Sequence, residues 1–497
     1  AVDHRASALV YYYLSDQKRA SEGYNNLSSI PLRYQGVSSR LTYGFKDTYM
    51  IDFNFGYTGS ENFQPGRQYG FFPSVALGWV PSQYDLFKKT LPWFNFLKIR
   101  GSYGSVGNDR ISNTRFPYLT MVNLGRSSPW GSTFVETVGE ARIGADNLQW
   151  EKAIKANIGI EARFINEKIS LVLDVFDDQR DGIFMPRVQV PAYAGLITNP
   201  YSNIGKMKSY GADGNIAFTH DINKDVSFAI RSNFTYSKNN VQHWEEANPP
   251  YPYQEASGYP YGTIRGYHAV GLFKDWDDVN NSPAQFGKLM PGDIKYRDVN
   301  GDGVINTNDM TPLSYSTYPL LMYGFGGEFR YKKITLGILF KGTGKTDFFH
   351  VGQSNGTGYV PFYNGEYGNV LTIAKDPKNR WIPKEYAIEN GIDVSLAENP
   401  NARYPRLTYG YNENNSQLSD FWKGDARYLR LQEVTLNYNL KSDLLRKIKV
   451  ASIDFQFVGN NLLLWDKVKL FDPEQAQFNG ERYPIPTTYA VQMYINL

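Results

Sequence analysis

Tyr489-Ala-Val-Gln-Met-Tyr-Ile-Asn-Leu497 is the stretch that decides the fold. Tyr489, Val491, Met493, Ile495 and Leu497 share one face of a strand, while Ala490, Gln492, Tyr494 and Asn496 share the other, because strand side chains alternate with a period of two. One face is apolar and the other mostly polar. The run stops on an apolar residue in phase with the apolar face, whereas last residues of soluble domains tend to fray. Two readings fit. It is the final strand of an outer-membrane barrel, apolar face in lipid, or the edge strand of a soluble sandwich.

Composition narrows the choice. The 497 residues include 38 Tyr, 30 Phe and 9 Trp, an aromatic excess that girdles at two membrane interfaces would explain. Mean hydropathy is −0.46, as expected where half of every strand faces water. No run approaches the roughly 18 apolar residues of a spanning helix. A net charge of +3 without a long Lys/Arg run argues against nucleic acid as a partner. Cysteine is absent, which removes disulfides and thiolate metal sites. Ala1-Val-Asp-His-Arg5 has no apolar core of a signal peptide, so the chain reads as mature protein or as a fragment.

Outward from the last strand, the alternation recurs. Tyr49, Ile51, Phe53, Phe55 and Tyr57 alternate with Met50, Asp52, Asn54, Gly56 and Thr58 after a Lys46-Asp47 turn. Asp52 would need a partner in a soluble core, but would meet water in a barrel lumen. Ile154, Ala156, Ile158, Ile160, Ala162 and Phe164 oppose Lys155, Asn157, Gly159, Glu161 and Arg163, and Ile169, Leu171, Leu173 and Val175 resume the apolar face beyond a short turn. Ile158, Ile160, Leu171 and Leu173 should face lipid; Asn157, Glu161 and Asp174 should face the lumen. Further hairpins are expected at 210–236, 323–340 and 428–458, with a bulge at Gln432-Glu433 and a helical turn capped by Ser442. Short turns near 46–47, 165–168, 219–225, 331–333 and 441–448 alternate with long connections at about 106–149, 177–208, 238–318, 342–426 and 463–486. Short turns on one rim and long loops on the other belong to outer-membrane barrels. Roughly 14 to 16 strands result.

The most specific motif is Asp298-Val-Asn300-Gly-Asp302-Gly-Val304-Ile-Asn306-Thr-Asn-Asp309. Oxygen ligands at positions 1, 3 and 5, Gly at 6, a carbonyl at 7 and a carboxylate at 12 fit a calcium loop. The expected Ca2+ ligands are the side chains of Asp298, Asn300, Asp302 and Asp309 and the Val304 carbonyl, with Asn306 acting through water or by contact with a ligand residue. The Asp at position 12 resembles dockerin-type loops, and the flanks are not helices. An Asx/Gly-rich turn without metal is the alternative. Lys341-Gly-Thr-Gly-Lys-Thr346 imitates a phosphate loop, but Leu339 stands where that pattern needs Gly. His4, His220, His243, His268 and His350 have no ligand spacing, and His220 reads as a turn residue. Asp174, Asp177, Asp178 and Asp181, and Asp275, Asp277 and Asp278, read as solvated faces. No nucleophile–base pair points to an enzyme.

Taken together, several stretches resemble the SusC/RagA-type TonB-dependent transporters. They include Pro291-Gly-Asp-Ile-Lys-Tyr-Arg-Asp-Val-Asn-Gly-Asp-Gly-Val-Ile305, Ser60-Glu-Asn-Phe63, Gly70-Phe-Phe-Pro-Ser74, Gly104-Ser-Val-Gly-Asn-Asp109, Asn203-Ile-Gly-Lys-Met207, Tyr404-Pro-Arg-Leu407, Asp420-Phe-Trp422 and Gly459-Asn-Asn-Leu462. The resemblance runs through nearly all of residues 1–497 in family order. It implies an all-β fold, the C-terminal portion of a transmembrane antiparallel β-barrel of about 22 strands, with the N-terminal plug and TonB box outside this sequence. It further implies active uptake of oligosaccharides or peptides, a SusD-like surface lipoprotein as lid, and TonB acting through the plug. A passive porin is the alternative function.

Overall fold

In the computed structural model, which describes residues 3–18, 30–111, 115–314, 318–350, 370–478 and 482–497, the chain divides into two compact units. The first spans residues 1–248 with 256–259, the second 249–255 with 260–497. In the first, His4–Gln17, Leu32–Phe45, Tyr49–Ser60, Tyr69–Trp79, Phe94–Asn108, Glu151–Phe164, Ile169–Pro186, Tyr201–Asp221 and Val226–His243 pair each with the next, all antiparallel. In the second, Leu321–Tyr331, Ile334–Gly344, Tyr428–Leu440, Ser452–Asp466 and Thr488–Asn496 do the same. Every long strand anticipated from alternation is present, the terminal one included. The up-and-down order follows because antiparallel neighbours need only a short turn. At Lys46 and Asp47 both φ angles are positive, at 53° and 50°, and the Thr48 N–H closes this turn onto the Phe45 carbonyl (3.0 Å) before pairing resumes at Tyr49.

Register confirms the two faces. Ile158 lies opposite Val175, Ile160 opposite Leu173 and Ala162 opposite Leu171, so one face of this pair is a continuous apolar surface. Ile158 is 65% exposed, which an apolar side chain in water would not favour. On the other face Arg100 bridges Glu161 (3.0 Å) and Asp174 (2.6 Å). Against Ile334–Gly344, Gln432 is the extra residue, since Leu431 and Glu433 face the consecutive Phe340 and Leu339. Ser442 Oγ accepts from the Leu445 N–H at the start of the Asp443–Lys447 helix.

Several expectations change. The strands run further than alternation suggested: Ile169–Pro186, Tyr201–Asp221 and Val226–His243 take up much of what reads as loop, and the 177–208 connection shrinks to 187–200. Alternation fades where both faces carry polar groups, while backbone pairing continues regardless. His220 belongs to a strand. Inside the 106–149 connection, Met121–Trp130 and Thr133–Arg142 form an unexpected hairpin about the left-handed Gly131. Asp52 is paired with Arg40 (2.7 Å). Asp174, Asp177, Asp178 and Asp181 likewise have cations on other strands: Arg100, two strands away, and Lys208, Lys155 and Lys206 on adjacent ones. Opposite charges that meet across strands stabilise a sheet in this way. Parts of the long connections, at 112–114, 315–317, 351–369 and 479–481, lie outside the described residues, as does the 19–29 part of the first polar loop.

The buried cores lie mainly in the connections. In the first unit Phe63, Ala145 and Leu148 are buried together, with Phe63 stacked on Trp150 at 4.8 Å. In the second, Tyr267, Leu272, Ile294, Tyr296, Ile305, Trp381, Tyr404 and Trp422 build one core.

Candidate functional site

The second unit's loop core is organised by one carboxylate. Asp293 has no solvent exposure. It accepts from the Met290 N–H (2.8 Å), from Asn412 and Asn415 Nδ2 (3.1 and 2.9 Å), and from Arg406, whose Nε lies 2.8 Å away. Such a charge is tolerable inside only when paired and fully hydrogen-bonded. Asn414 and Asn415 extend the network to the Ile294 backbone, and Tyr296 donates its hydroxyl to the Asn414 carbonyl. Trp422 Nε1 donates to the Asn415 carbonyl, and Asp420 receives the Ala269 N–H and pairs with His268.

The 298–309 motif leaves this core as a tight excursion. Asp298 Oδ1 and Oδ2 accept from the Gly301 and Gly303 N–H groups (2.7 and 2.8 Å). Asn300 Oδ1 takes the Asp302 N–H and Asp302 Oδ1 the Val304 N–H. Positive φ at Gly301 and Gly303 makes these nested turns possible. The Asn300 side-chain amide, then the Val304 N–H, hold the Asp302 carboxyl below its ordinary pKa. Asp309 sits apart in role: fully buried, it accepts from the Val299 and Asn306 N–H groups (2.8 and 2.9 Å) and closes a capping box with Asn306. Asn306 Nδ2 also reaches the Val304 carbonyl (3.3 Å). Thus Asp298, Asn300 and Asp302 gather through backbone turns, while Asp309 anchors the loop's exit. Among the described residues no group of three or more His, Asp or Glu side chains stands ready-made around one metal position.

The remaining candidates resolve into scaffolding. Lys341 pairs with Glu474 (2.9 Å), and buried Arg430 pairs with Asp472 and Glu474. Asp275 caps the Trp276–Asn280 helix and Asp278 pairs with Lys295. The motif residues also fasten connections. Asn203 ties to Gln149 through both side-chain atoms, and Ser60 donates to Asp109. Sequence reasoning missed the Asp293 hub and its asparagines, because an isolated Asp or Asn announces no partner.

These features agree with known proteins. Residues 5–339 match the family model described as TonB dependent receptor-like, beta-barrel. TonB-dependent receptor P26 of Formosa agariphila is 25% identical over 95% of this chain and 48% of its own length. TonB-dependent receptor SusC of Bacteroides thetaiotaomicron is 23% identical over 90% of this chain and 42% of its own length. Among solved structures, the RagAB peptide importer in its "open-open" state superposes with a TM-score of 0.73 at 19% identity, covering 100% of this chain and 53% of that one. The chain spans about half the length of these proteins. The family is one of outer-membrane receptors and transporters, and with its strand pattern and this match the chain belongs to the TonB dependent receptor-like β-barrel family, similar to its SusC and RagA members.

Proposed function

We propose that this chain forms the wall and surface loops of an active nutrient importer in the outer membrane of a Gram-negative bacterium, taking up oligosaccharides or peptides with a SusD-like surface lipoprotein. The observation that carries this reading is the contrast between exposed apolar strand faces and long connections folded around a core of their own. Apolar faces of this kind suit lipid, and connections that are built rather than loose suit a lid-bearing surface. TonB would act through the plug of the complete transporter. The test is uptake by cells carrying the complete transporter. Uptake should require both the lipoprotein and an energised TonB, and the loops at 244–320 and 345–427 should cross-link to the lipoprotein. Uptake independent of TonB would favour the passive channel.

We also propose that the 298–309 loop takes up Ca2+, with Asp298, Asn300, Asp302 and Asp309 as side-chain ligands, the Val304 carbonyl joining them and Asn306 assisting through water. Support comes from the all-oxygen donor set, which suits a hard cation. Each carboxylate also retains lone pairs beyond the amide it accepts. The ion's role would be structural. Calorimetric titration should show calcium uptake that Asp302→Ala abolishes while strand content is unchanged. Equal heats for wild type and variant would end the idea.

A further inference from the structure

Two arginines are buried among the described residues, and they differ. Arg430 is paired with two carboxylates. Arg380, 7% exposed, has no hydrogen-bond or ion-pair partner for its guanidinium among the described residues, and its Nε is sealed and unbonded. Its Cζ lies 5.3 Å from the centre of the Tyr386 ring. That contact offsets part of the charge but satisfies none of five N–H donors. A sealed guanidinium N–H without an acceptor is costly, and the remaining donors have no protein partner among the described residues.

Arg380 lines a cavity of about 640 Å³, within the range of small-ligand sites. Trp381 forms part of its wall, its ring pressed on Gly292, where a Cβ would come within 2.3 Å. Arg380 is fixed by a backbone bridge to Tyr404, and the Trp381 N–H donates to the Tyr404 carbonyl (2.9 Å). Trp276, 53% exposed, and Tyr386 offer aromatic faces, and Glu385 and Glu398 are exposed carboxylates without ion-pair partners among the described residues. Glu398 holds a left-handed φ of 51°, a conformation a non-glycine residue keeps when its surroundings impose it.

These groups select a ligand class. A cation would leave Arg380 unpaired and be repelled by it. A simple apolar acid would make no use of Glu385 and Glu398, which can accept from ligand hydroxyls. A neutral sugar would stack on the rings but leave the guanidinium uncompensated. We propose that this cavity binds an acidic sugar: its carboxylate pairs with Arg380, its ring face lies on Trp276 or Tyr386, and its hydroxyls donate to the glutamates. The site goes beyond the import reading, since binding can hold whether or not the chain transports.

Calorimetry on the purified protein in detergent, with digalacturonate as probe, tests it. Digalacturonate should bind, and its dimethyl ester, the same rings without charge, should bind about tenfold or more weakly. Arg380→Gln should lose about tenfold, with Arg380→Lys recovering part of that. Trp276→Ala, at an exposed position that leaves folding intact, should weaken binding roughly fivefold. No binding, equal affinity for the ester, benzoate binding as tightly as the sugar acid, or unchanged affinity in both Arg380→Gln and Trp276→Ala each overturns the proposal. Failed uptake with intact binding would strike only the import reading.

Discussion

The Glu151–Phe164 and Ile169–Pro186 strands and the loop core around Asp293 solve the same problem in opposite ways. In the strand pair, apolar side chains point outward and remain exposed, and charges meet across strands on the other face. In the loop core, Trp422, Tyr296 and Ile294 are buried and a single sealed carboxylate collects donors from distant connections. The first arrangement leaves its apolar surface to the solvent it lives in. The second folds like a soluble domain, with its sealed carboxylate satisfied internally. The two should therefore respond differently to the same kind of insult.

The largest expected effect is in the loop core. Asp293→Ala strands Arg406, the side-chain amides of Asn412 and Asn415 and the Met290 N–H, and losing one partner of a buried pair costs about 3–5 kcal/mol. Hydrogen exchange should accelerate across 264–314 and 399–426 while 151–186 stays protected. Equal loosening of the strands would erase the contrast.

Acid should sharpen it next. Burial, and secondarily Arg403, pushes the His350 imidazole down to about 4, so the folded protein holds it neutral. An unfolded imidazole titrates near its ordinary value, about 6.5. The folded pKa is lowered, so this contribution is complete above that value. It falls as pH drops from about 6.5 to about 4 and then levels, a loss of about 3 kcal/mol. The melting temperature of the loop region should drop between pH 7 and 4.5 in wild type, and by clearly less in His350→Leu.

On the strand face, Ile158→Arg should cost about 2–4 kcal/mol of folding in lipid, against far less for Asn157→Arg on the opposite face. Refolding into vesicles, read by heat-modifiable migration on gels, measures the difference. A matching penalty at both positions would refute the assignment of faces. Smallest is Ser442→Ala, which removes a cap and should cost about 1 kcal/mol, confined to the 443–447 turn in hydrogen exchange.

How much was legible follows the same division. Strand faces, the Lys46-Asp47 turn, the Gln432 bulge and the Ser442 cap could all be read, because each depends on residues within a few positions of one another. The hairpin within 121–142 could not. Pro129, Gly125 and paired serines interrupt its alternation, and its pairing is made by backbone groups that every sequence carries. Asp52, too, reads as a residue in open water, because no local pattern points to Arg40 on the adjacent strand.

The sequence by itself determined the strands, their faces and the family, since a period of two and a family motif are properties of the chain order. It also determined which oxygen-bearing residues crowd into 298–309. Only the tertiary structure decided that Asp293 meets Arg406, Asn412 and Asn415, and that Asp309 turns to cap its own loop. It alone left Arg380 buried beside Tyr386 without a counterion. The physical reason is separation: 113 to 122 positions lie between Asp293 and its side-chain partners. Electrostatic pairing depends on distance in space, which no local pattern records.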